Sequence, residues 1–201
     1  MAATGLLPMA AMMMGLSPFA PGIATRIGLD KMLTAGAVVL AAGFVWMAFP
    51  GDDPTYWSIL PGLVLTGLGV GLAMSPATTA ITESLPADKQ GVASALNDTV
   101  RELGGAIGVA LIGSVLAAGY RSGIADTAEQ LPAELGHVTE EGIGGAFVAA
   151  GQLGADGPAL IAQAQQAFLD GWSGAMWLAA GIAIVTAGVA AVLIPAEERV
   201  A

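Results

Sequence analysis

Residues 55–82 read TYWSILPGLVLTGLGVGLAMSPATTAIT, a run without one Asp, Glu, Lys or Arg. At about 1.5 Å of rise per residue, this run is longer than the roughly 30 Å needed to cross the hydrocarbon of a bilayer. Only a helix can satisfy an isolated segment's own backbone there. Working outward, four further stretches with few or no charges fall at about residues 2–25, 32–51, 92–119 and 171–195. The ionised side chains gather between them, in short loops and in one longer segment. The expected fold class is all-α: a polytopic membrane bundle of five transmembrane helices. Four helices lie within residues 1–119. An extracytoplasmic loop with amphipathic helical segments follows at 120–170, then the last transmembrane helix and a cytoplasmic tail at 196–201.

Composition points the same way. Hydrophobic residues make up 55% of the chain and charged residues 11%, against roughly 25% charged in soluble domains. The mean hydropathy is +0.74. There is no cysteine, which excludes disulfides, thiolate metal sites and cysteine nucleophiles. The net charge of −10 comes mainly from Asp52, Asp53 and the 120–170 segment. No polybasic run is present to neutralise phosphates, so no nucleic acid is expected as a partner. The first apolar stretch lacks a Lys/Arg-rich leader and contains Pro8, Pro18 and Pro21, so it reads as a span rather than a cleaved signal.

Lys and Arg resist transfer across the membrane and so set orientation. With five spans, Arg26, Lys31, Lys89 and Arg199 share one side, and Arg121 falls on the other with Asp52 and Asp53. The first side is expected to be cytoplasmic. The protein is then a multi-pass cell-membrane protein with its N-terminus outside and its C-terminus in the cytoplasm.

Within the spans, Met12, Met13 and Met14 offer flexible, polarisable thioethers, suited either to a cavity for varied apolar ligands or to plain packing. Gly28 permits a tight turn between Arg26 and Lys31, where Asp30 is placed to cap the next helix or to pair with one of them. Trp46, Tyr56 and Trp57 suit the headgroup region. Gly67, Gly69 and Gly71 imitate a dinucleotide fingerprint, but no strand precedes them and no acidic residue follows at the right distance. Gly67 and Gly71, four apart, instead form a face for close helix contact. Ser75-Pro76 is expected to bend its helix, with Ser75, Thr78 and Thr79 as candidate cavity-lining residues and Thr82 satisfying backbone nearby.

The fourth span holds the main polar cluster, Asn97, Asp98, Arg101 and Glu102, near its cytoplasmic end. Ionised groups at membrane depth are costly and mark functional candidates, here for transport or gating; a structural charge network at a helix mouth is the other reading. Gly104, Gly105 and Gly108 next to it invite another helix. In the 120–170 segment, Thr127 and Gln130 have capping-box spacing, and Leu160, Ile161, Ala164 and Phe168 share one helical face. That face suits an amphipathic helix lying on the outer interface. His137 with Glu134, Glu140 and Glu141 reads as a solvated loop rather than a metal centre. No Ser/His/Asp set is available. No enzymatic activity, cofactor or metal is expected.

Several segments resemble the C-terminal part of the major facilitator superfamily, in particular fourteen-span drug:proton antiporters of the EmrB/QacA type. The likeness rests on PGIATRIGLDKMLTAG (21–36), on the stretch from Gly67 to Leu116, and on the long segment before the last span. Asn97, Arg101, Gly104 and Gly105 match an Asn-x-x-x-Arg-x-x-Gly-Gly pattern seen there. The resemblance implies the last five of fourteen spans of a proton-coupled exporter of drugs or other small amphipathic molecules. The implied partners are the lipid bilayer, a small-molecule substrate, protons and the remaining transporter helices. The family's antiporter motif and acidic coupling residues lie in helices with no counterpart in this sequence. A stand-alone five-span interaction protein and a truncated, non-functional transporter fragment are the alternatives.

Overall fold

The computed structural model describes residues 5–51, 55–83 and 85–194. The expected Asp52-Asp53-Pro54 turn, Arg199 and the 196–201 tail lie outside these residues. The described residues hold no β-strand and form α1 (Leu7–Leu16), α2 (Ala20–Ile27), α3 (Leu29–Met47), α4 (Tyr56–Glu83), α5 (Gln90–Ala128), α6 (Ala133–Glu141), α7 (Ile143–Gln152) and α8 (Gly157–Leu193). Helices α3, α4, α5 and α8 are long and apolar enough to cross a membrane. Helices α1 and α2, bent by 55° at their break, make a fifth crossing if taken as one span. The protein is an all-α, polytopic membrane bundle.

The chain divides into two compact units, residues 1–107 with 177–201, and residues 108–176. Helices α5 and α8 contribute to both.

The first unit is built on glycine. Helices α3 and α4 run antiparallel with Gly36, Leu40, Gly43 and Met47 facing Gly62, Thr66, Gly69 and Ala73. Both sets follow a 4-3-4 spacing, the seam of a left-handed helix pair. A Cβ on Gly43 would lie 2.9 Å from the Thr66 nitrogen, and one on Gly69 2.6 Å from the Leu40 nitrogen, so only glycine allows this approach. The buried Thr66 hydroxyl donates to the Gly62 carbonyl at 2.8 Å, hiding its polarity within its own helix. The Gly67–Gly71 face meets α1 as its spacing implies: a Cβ on Gly67 would lie 3.0 Å from Met9 Cα, and one on Gly71 3.4 Å from Met13 Cα. Ala20, Ala24 and Met32 are buried together, with Ile23 and Leu72 packed against them.

The turn into α3 is the one expected. Gly28 takes φ +98°, a conformation that L side chains rarely adopt. Asp30 makes no side-chain cap on α3; the helix begins from Gly28 without one. The aromatic residues bridge helix ends. Trp46 Nε1 donates to the Ser58 carbonyl at 2.8 Å, Tyr56 Oη to the Gly5 carbonyl at 3.1 Å, and Phe49 meets Trp177 edge-on at 5.6 Å.

The second unit departs from the loop expected at 120–170. Helix α5 does not stop near residue 119 but continues to Ala128, and the helix expected from 171 begins at Gly157. With 39 and 37 residues they are about 58 and 55 Å long, well beyond a roughly 30 Å hydrocarbon core. Hydropathy locates where a helix leaves lipid, and nothing between Tyr120 and Ala128 breaks the helix: the next proline is Pro132. Thr127 and Gln130 therefore cap no helix start. They sit at the end of α5, where the Thr127 hydroxyl donates to Gln163 Oε1 at 2.5 Å and Gln130 Nε2 donates to the Asp126 carbonyl. The apolar face on Leu160, Ile161, Ala164 and Phe168 is present, but it faces protein. Leu160 and Ala164 join Tyr120, Ile124, Ala146 and Ala149 in a closed core, with Ile161 and Phe168 against it. A Cβ on Gly119 would lie 2.6 Å from Gly171 Cα, so the two long helices nearly touch backbone to backbone.

Candidate functional site

Two places in the first unit collect the polar groups expected to matter. The first is on α5. Helix periodicity puts Asp98, Arg101 and Glu102 on one face, three and four residues apart. The structure brings these three together with Met74, Gly105 and Ala106 around an open groove of about 710 Å3. The Arg101 guanidinium reaches Met74 on α4, with Nη2 3.7 Å from Sδ. Among the described residues no carboxylate lies within ion-pair distance of Arg101, so it is not paired with Asp98 or Glu102 on its own helix. Asn97 points elsewhere. It is 6% exposed, and its Nδ2 donates to Asp98 Oδ1 at a long 3.4 Å.

This face of α5 is bare. Asp98, Arg101 and Glu102 are exposed on it, and on the opposite side of α5 Val92, Leu96, Val100, Leu103 and Ile107 are all more than half exposed. No atom lies within 4 Å of a Cβ built on Gly104, Gly105 or Gly108. Three charged side chains thus stand beside an open glycine track. The expected close approach of another helix to these glycines is not made by any described residue.

The second place lies between α2 and α4. Pro21, Gly22, Ala24 and Thr25 on one side and Pro76, Thr79 and Ala80 on the other enclose a groove of about 300 Å3, with Leu29 at its edge. Both walls are proline-bearing. Pro76 offers no N–H to the Leu72 carbonyl four residues back, while the nearby hydroxyls bond other carbonyls of the same helix. Thr79 Oγ1 donates to the Ser75 carbonyl at 3.2 Å, Thr78 Oγ1 to Met74 at 3.0 Å, and Thr82 Oγ1 to Thr79 at 2.9 Å. Of the expected cavity residues, Thr79 lines this groove, whereas Ser75 and Thr78 are half-buried and do not. Met13 packs on α4 at Gly71, Met12 is half-buried and Met14 is 72% exposed, so the three methionines do not converge on one cavity among the described residues.

Sequence reasoning passed over Pro21, Gly22 and Thr25 as groove residues and Met74 as the neighbour of Arg101. The Pro-Gly pair at 21–22 was the available signal for the former. Nothing in sequence spacing joins residue 74 to residue 101. Among the described residues no group of three or more His, Asp or Glu stands close enough to hold a metal ion.

A sequence model of the Major Facilitator Superfamily matches residues 1–109. The multidrug efflux pump LfrA of Mycolicibacterium smegmatis is 30% identical over 200 residues, covering 90% of this chain and 40% of LfrA. The multidrug resistance protein Stp of Mycobacterium tuberculosis is 37% identical over 117 residues, covering 57% of this chain and 22% of Stp. The tetracenomycin C resistance and export protein of Streptomyces glaucescens is 28% identical over 192 residues, covering 92% of this chain and 36% of that protein. The chain therefore spans 40% or less of the length of these relatives.

Proposed function

We propose, from the premise that this chain belongs to the Major Facilitator Superfamily, that it is the C-terminal portion of a proton-coupled exporter of drugs or other small amphipathic molecules. The similarity to LfrA over 90% of the chain carries this reading, because it runs through the spans and the 120–170 segment alike. In such a transporter two helical halves rock about a central site, and a carboxylate whose surroundings alternate between wet and dry changes its proton affinity with the motion. The bare face of α5 supports the reading. Asp98, Arg101 and Glu102, with Gly104, Gly105 and Gly108 beside them, would face the remaining transporter helices and take their counter-charges there. Asn97, buried behind them, would hold the Asp98 side of that face. The groove at Pro21, Pro76 and Thr79, with Ser75 and Thr78 on α4 and Met12, Met13 and Met14 on α1, would contribute to the substrate path. The N-terminus would lie outside and the C-terminus in the cytoplasm.

The test is Arg101→Ala in the full-length protein, reading ethidium export from intact cells beside membrane abundance. Export is expected to fall about tenfold or more at unchanged abundance, the cost of an unpaired charge pair in a low-dielectric interface. Normal export at normal abundance would remove this face of α5 from the transport machinery.

A further inference from the structure

Three of the four helices in the second unit turn ionisable side chains outward: Arg121 on α5, Glu134 and His137 on α6, and Asp170 on α8 are all exposed. Helix α7 has no ionisable residue at all. Gly144, Phe147, Val148 and Gly151 are exposed along it at helical spacing, and Phe147 and Val148 are 48% and 61% accessible. Ala146, Ala149 and Ala150 enter the unit's core from the other side of the helix. The outward strip is therefore apolar without serving the packing of its own unit.

Its depth relative to lipid follows from the helices beside it. The apolar run of α5 ends near Gly119 and that of α8 begins near Gly171. These two glycines nearly touch, since a Cβ on Gly119 would lie 2.6 Å from Gly171 Cα. Two boundaries read separately from hydropathy thus meet at one level, and Tyr120 and Trp172, rings suited to a membrane edge, come next to them in the chain. Over residues 92–119 the run rises about 42 Å, close to the roughly 40–45 Å of a bilayer with its headgroups. Gly119 then marks the edge of the headgroup layer, and the turn before it lies within that layer. Ile143 and Gly144, at the foot of α7, share a groove with Gly113, Leu116 and Ala117 in that turn. Phe147, about 6 Å farther along α7, comes level with Gly119. Side chains of a helix slant toward its N-terminus, so those of Phe147 and Val148 slant toward lipid.

We propose that α7 is the lipid-contact helix of this unit, with Gly144, Phe147 and Val148 seated in the headgroup layer of a glycerophospholipid bilayer. An uncharged apolar strip on a short helix, beside elements that expose charge, is the pattern of a segment held at an interface. The interfacial position expected for Leu160, Ile161, Ala164 and Phe168 passes to α7, because those residues are taken up by the core and its margin. The proposal needs only the membrane bundle, neither the export reading nor the orientation of the termini.

The chain has no cysteine, so Phe147→Cys and Glu134→Cys each give the full chain one thiol for an environment-sensitive nitrobenzoxadiazole dye. Both are reconstituted in phosphatidylcholine vesicles, with and without phosphatidylcholine carrying a nitroxide on the shallow part of its acyl chain. The dye at residue 147 is expected to emit to the blue of the dye at 134 and to be quenched by the nitroxide about threefold more strongly. Gly151→Cys, one turn farther along α7, should behave as residue 134 does. An emission at 147 as red as that at 134 places the strip in water. A blue-shifted emission that the nitroxide does not quench places it against protein, whether this chain or a second copy. Either result overturns the proposal. If Phe147→Cys loses helical content, Val148→Cys decides by the same two readings.

Discussion

Gly67 and Gly104 are the same residue in opposite surroundings. A side chain at Gly67 would drive into the Met9 backbone, whereas one at Gly104 meets nothing. Gly67→Val is therefore expected to cost about 1–3 kcal/mol by overpacking the α1–α4 contact, lowering the thermal midpoint of the purified chain. Gly104→Val should change that midpoint by less than about 0.5 kcal/mol equivalent, yet reduce export in the full-length protein if a further helix lies there. An unshifted midpoint for Gly67→Val would mean that α1 does not rest on α4. Small-residue spacing marked both faces in the sequence without telling them apart, because spacing identifies a face but not its neighbour. The same limit explains Arg101. Its i,i+3 and i,i+4 partners were evident, but the contact it makes is with Met74, from another helix.

At the scale of elements, the apolar runs agree with the helix bounds to within a few residues at α3 and α4, where a glycine turn and helix ends coincide with the change in hydropathy. At α5 and α8 the helices run on well past the apolar stretches. Helix is a backbone state and hydropathy a side-chain property, so the two boundaries need not agree. Ala125→Pro tests the extension of α5. Proline there removes a helical hydrogen bond and should cost about 3 kcal/mol, exposing the 120–157 region to protease and lowering the circular dichroism at 222 nm. Ala133→Pro, at the first residue of α6 where the N–H has no helical partner, should be tolerated. Equal effects from the two would refute the extension.

For the molecule as a whole, orientation was inferred from four cations on one side against Arg121 on the other. The absence of cysteine makes a clean assay available. Gly151→Cys and Gln90→Cys each place one thiol at an exposed position. With the N-terminus outside, a membrane-impermeant maleimide should label residue 151 in intact cells and residue 90 only after permeabilisation. The reverse pattern would invert the topology.

The α3–α4 seam has a consequence for how the protein comes to be in its membrane. Its two helices are neighbours in the chain, and their glycines meet without waiting for any later segment. This hairpin can close soon after α4 emerges from the ribosome, while α8 is still untranslated, because its contacts carry little loop-closure cost. The α3–α4 pair would then already be formed when the segments that follow it in the chain are made.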